Sequence, residues 1–69
     1  MQESILTVQL INEKSPRPRR VRSLWMNFHP GSLVEVENNR ERERGLVEWM
    51  RCRVHRFGDG QLWVIPVAL

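Results

Sequence analysis

Tyrosine is absent from this chain, cysteine occurs once, as Cys52, and histidine only twice, as His29 and His55. A single thiol excludes an intramolecular disulfide. Two separated histidines without a cysteine at zinc-like spacing exclude a Cys/His metal centre, so the expected metal set is none. There is no Ser-His-Asp pattern and no phosphate-cradling glycine loop, so catalytic residues and cofactors are likewise expected to be none, and the chain is not expected to be an enzyme. No apolar run reaches membrane-spanning length, which argues against a membrane partner. The opening Met-Gln-Glu-Ser lacks the charged and apolar regions of a signal peptide, which makes the cytoplasm the expected compartment.

What is present is small and basic. Sixty-nine residues are expected to form a single domain, residues 1–69. A chain of this length buries only about 60% of its unfolded surface, so its core is thin and its chemistry belongs on the outside. Eleven residues are basic and eight acidic, a net charge of +3, and all the basic residues but Lys14 are arginine. Arginine offers a planar fork of donors and a stacking face, which suits phosphates, carboxylates and rings. A GC-rich genome gives the same bias without any function.

The hydrophobic pattern has a period of two. Residues 4–12 read as a first strand, with Leu6, Val8 and Leu10 alternating. Residues 13–20 hold Pro16 and Pro18 and read as an exposed extended loop, because proline removes backbone donors. Residues 21–28 fit a strand through Leu24, Met26 and Phe28, and a short helix through Val21, Leu24, Trp25 and Phe28. Length and aromatic content favour the strand. His29-Pro30-Gly31-Ser32 is a type II turn signature, and residues 33–38 are a strand with Val34 and Val36 inward. A charged loop follows at 39–45, then the longest strand at 46–57. Asp59-Gly60 signals a tight hairpin into residues 61–69. A continuous two-residue hairpin sets Val54 opposite Ile65, Cys52 opposite Val67 and Met50 opposite Leu69, with Pro66 on the other face.

Five strands in this order, with a long first loop, a charged second loop and a tight last hairpin, resemble a Src-homology-3-like barrel over residues 6–69. The segment 24–36 is similar to the strand that enters through a Gly-acidic turn. Residues 48–54 resemble the tryptophan-bearing strand, and residues 60–67 the closing strand with its proline. The resemblance implies an all-β, small five-stranded Src-homology-3-like barrel with a peptide groove at Trp49 and Pro66. The groove tyrosines of that family are absent here, and Arg17, Arg19, Arg20 and Arg22 stand where its first loop is acidic. A basic proline-rich ligand would therefore meet like charge. Arg22-Ser-Leu, Pro30-Gly31-Ser32-Leu33-Val34-Glu35-Val36 and residues 60–66 are also similar to swapped-hairpin DNA-binding proteins of bacterial transition-state regulators.

Two constellations are candidates for binding. With Met50, Cys52 and Val54 inward, Trp49, Arg51, Arg53 and His55 fall on the outer face, where a ring followed by guanidinium groups can stack a base and hold phosphates. The same pattern also describes a ring that covers a barrel rim beside solvated charges. The second constellation is the cluster Arg17, Arg19, Arg20 and Arg22, either a polyanion contact or a solubilising loop. Nucleic-acid binding through Arg17, Arg19, Arg20, Arg22, Trp49, Arg51 and Arg53 is the leading expectation. The alternative is a protein-interaction module, an adaptor or inhibitor, that meets an acidic partner surface through Trp49, His55 and Pro66. Trp25 and Trp63 read as packing residues and Cys52 as a buried thiol. The sequence leaves homo-oligomer formation open.

Overall fold

The computed structural model describes residues 2–23, 28–38 and 47–67. Five strands run in chain order, β1 (Gln2–Leu10), β2 (Arg17–Ser23), β3 (Leu33–Glu37), β4 (Trp49–Gly58) and β5 (Gln61–Pro66), and no helix occurs among the described residues. Each strand pairs with the next antiparallel. The ring closes where β1 meets β5, Thr7 to Leu10 lying beside Gln61 to Val64. In an up-and-down order of five, the first and last strands point the same way, so that seam is parallel.

The core is narrow and aliphatic. Val8, Leu10, Val21, Val34, Val36, Cys52, Val54, Leu62 and Val64 form it, with Leu6, Phe28 and Met50 packed against it. β-branched residues dominate because each inward position of a small ring must fill space with little rotamer freedom to lose. Phe28 packs against this core and also meets the exposed Phe57, their ring centroids 5.1 Å apart. The alternation expected in residues 6–10, 33–36 and 50–54 is observed, and Cys52 is fully buried. The turn at 29–32 has the expected hydrogen bond, Ser32 N–H donating to the His29 carbonyl at 3.0 Å, and Gly31 has a φ of 90°.

Two expectations are corrected. Residues 17–20 are not loop: they open β2, with Pro18 opposite Thr7 and Arg17 opposite Val8. Pro18 is tolerated because β3 reaches only Val21 to Ser23, so this end of β2 has a ladder on one side only. The hairpin register expected for β4 and β5 holds only beside the turn. Gly58, Phe57 and Arg56 face Gln61, Leu62 and Trp63, then a bulge at His55 shifts the pairing by one. Val54 thus meets Val64 and not Ile65, and Cys52 meets Pro66 and not Val67. Leu62 and Val64 are the inward residues of β5, while Ile65 is 40% exposed. The expectation for residues 24–27, Trp25 included, lies outside the described residues, as do those for 39–46 and Leu69.

Candidate nucleic-acid interface

Strand alternation divides the arginine cluster of β2. Val21 and Ser23 point inward and are buried, and counting back by two places Arg19 and Arg17 on the same side. Arg19 is 2% exposed. Its guanidinium donates to the Glu37 carbonyl at 2.8 Å and forms an ion pair with Glu13. Arg17 is half-buried, and its Nε is enclosed without a hydrogen-bond partner. Both line a depression of about 280 Å³ at the end of the ring where β1 and β5 finish, together with Leu10 and Pro66. Arg19 is therefore a structural residue and is removed from the expected ligand-facing set. A charged residue that repeats with the apolar positions at period two was the available signal.

Arg20 and Arg22 point outward. Arg20 is exposed and lies 3.7 Å from Glu3. Arg22 stands beside Glu35 of β3, which in turn stands beside Arg51 of β4. Its Nε donates to Glu35 Oε1 at 3.0 Å, and its Cζ sits 4.0 Å from the centre of the Trp49 ring. Cation–π attraction and the carboxylate act on the same planar group, so the guanidinium is held over the indole. Arg51 and Arg53 are exposed on β4, and Arg53 also donates to the Gly31 carbonyl at 2.8 Å. The structure thus brings Arg20, Arg22, Trp49, Arg51 and Arg53 onto one outer surface across β2, β3 and β4.

The bulge produces a second stack of the same kind. With His55 as the extra residue, Arg56 faces Trp63, and its Cζ lies 4.0 Å from that ring. Trp63 is accordingly a half-exposed outer-face residue and not part of the core. Sequence reading missed this pair because the period breaks between Val54 and Phe57. Val54 and Phe57, three residues apart, face the alternate positions Val64 and Leu62 of β5, and that odd spacing of apolar residues is itself the signal of a bulge.

The residues of the alternative groove do not converge. Trp49 starts β4 on the outer face, His55 is exposed at the bulge near the opposite end of that strand, and Pro66 lies opposite Cys52 and lines the depression shared by Arg17 and Arg19. A separate depression of about 380 Å³ lies beside Trp49, lined by Met50, Val67, Asn38, Glu48 and Arg51 among others. No group of three or more His, Cys, Asp or Glu side chains among the described residues is arranged to hold a metal. No helix of the described residues is long and apolar enough to cross a membrane. Compared with protein-family models, curated proteins and solved structures, the chain matches none.

Proposed function

We propose that the chain is a non-catalytic binding module on a Src-homology-3-like small barrel, with its working surface on the outer faces of β2 to β4. Its ligand is single-stranded nucleic acid. The observation that carries this reading is the Arg22–Trp49 stack at 4.0 Å, fixed by Glu35 and flanked by exposed Arg20 and Arg51. Stacked planar groups receive bases of any sequence, and neighbouring guanidinium groups take the phosphates between them. Duplex is a poorer fit, since unpaired bases alone expose a face to a stacking platform.

A protein-interaction module of the same fold is the second reading. It is favoured by Leu33 and Ile65, each 40% exposed and each directly opposite Arg53. That row joins two apolar contacts to one cation, a combination that suits an acidic partner surface.

A titration of the whole chain against labelled single-stranded oligonucleotides, duplex DNA and an acidic protein ligand separates the two. Binding to single strands should weaken steeply with added salt, because neutralised phosphates release counterions. Trp49→Ala should cost about 1–3 kcal/mol of affinity with little change in salt slope. Tight binding to the acidic protein alone, with single strands ignored at low salt, would replace the first reading with the second.

A further inference from the structure

The depression beside Trp49 is unlike the arginine surface around it. Its walls are part aromatic and aliphatic, from Trp49, Met50 and Val67, and part polar, from Asn38, Glu48 and Arg51. Its charges oppose one another. Glu35 is taken up by Arg22, and Glu48 and Arg51 carry opposite signs. A phosphate gains little in such a place, whereas a flat, uncharged heteroaromatic ring with hydrogen-bonding edges is matched on both counts. The surroundings are tied at two points: Asn38 N–H donates to the Glu48 carbonyl at 2.8 Å and Val67 N–H to the Arg51 carbonyl at 2.9 Å. Those bonds fix the backbone on both sides of Trp49 before any ligand arrives, which lowers the ordering cost of binding.

Building on the nucleic-acid reading above, we propose that this depression seats one unstacked base and that the Glu48 carboxylate selects guanine. An ionised carboxylate only accepts hydrogen bonds. Guanine presents two adjacent donors on one edge, N1–H and the N2 amino group, and both can be accepted by the two oxygens of one carboxylate. Adenine and cytosine place a ring acceptor beside their amino group, which would face a carboxylate oxygen as like against like. Uracil and thymine offer a single N–H between two carbonyl oxygens, so they too are disfavoured. Glu48 is exposed, so its acceptors are open to a ligand edge.

The test uses short single-stranded oligouridylates, and the oligothymidylate equivalents, with the central base replaced by guanine, hypoxanthine, adenine or cytosine. Affinities for the intact chain are read by anisotropy of a labelled strand. The guanine strand should bind roughly tenfold tighter than the adenine or cytosine strand, with hypoxanthine, which lacks the N2 amino group, in between. Glu48→Gln should bring the guanine strand down to the level of the adenine strand. Salt-dependent binding with equal affinity for every central base would overturn the guanine site and leave the nucleic-acid reading standing. A guanine preference that survives in the Glu48→Gln protein would overturn the role of Glu48. Failure to bind any strand at low salt would remove both proposals together.

Discussion

Cys52 is enclosed on all sides, with its thiol donating to the Met50 carbonyl at 3.7 Å. Burial pushes its pKa up from 9.0 to about 11, partly opposed by the positive charge of Arg19. The neutral thiol is the form that the fold favours. Its contribution is therefore complete below the unfolded value and is lost as pH rises from 9.0 to about 11, at most roughly 3 kcal/mol. Urea unfolding at about pH 8 and about pH 10.5 should show this loss in the native chain and not in Cys52→Val. An equal loss in both would assign it to other groups. The same enclosure predicts slow native-state labelling by thiol reagents, since the thiolate is the reactive form. Arg19 makes a second prediction at this scale. Its ion pair with Glu13 and its bond to the Glu37 carbonyl are largely out of water, and removing one partner strands the other. Arg19→Ala should cost about 2–4 kcal/mol in urea unfolding. A loss of a few tenths would show that water replaces the guanidinium freely.

At the scale of elements, the final hairpin separates what sequence could tell from what it could not. Asp59 has a φ of 53° and Gly60 of 73°, the pair of positive values that a two-residue turn of the right twist requires. Asp-Gly announces that turn by its chemistry, and the neighbouring pairs follow from it. The bulge at His55 is not local in this sense: it shifts the β4–β5 pairing by one residue between Val54 and Arg56, and only the packed ring rewards it. β2 was misread for a related reason. Proline is a strand breaker where both edges are paired, and how far β3 extends cannot be seen from residues 16–20. The outward placing of Trp49, Arg51 and Arg53 was legible because period two survives there. The contribution of Arg22 was legible as charge and not as a stack, since the stack crosses β3. Gly60→Ala should destabilise by about 1 kcal/mol, because a Cβ is disfavoured at that φ. Asp59→Asn should be close to neutral, as asparagine tolerates the left-handed region. Thermal unfolding of both variants checks the turn, and an unaffected Gly60→Ala would mean that it relaxes to another form.

For the whole molecule, the positive charge is not spread evenly. Arg17 and Arg19 face the end of the ring, while Arg20, Arg22, Arg51 and Arg53 share its outer surface. Long-range attraction for a polyanion should therefore depend on the second group. Arg20→Ala combined with Arg51→Ala should flatten the salt slope by about one to two units while the fold is retained. An unchanged slope would move the phosphate contacts elsewhere. The parallel seam has a mechanical consequence. β1 and β5 are adjacent and run in the same direction, so tension applied at Gln2 and at Pro66 pulls the two strands past one another lengthwise. The seam's hydrogen bonds are then loaded together in shear instead of being peeled one at a time, as they would be in a hairpin drawn apart from its open end. Stretched by those two points, this thin-cored ring should yield at a higher force than when it is held across the β4–β5 hairpin, because the barrier to forced unfolding is set by the bonds that must break at once.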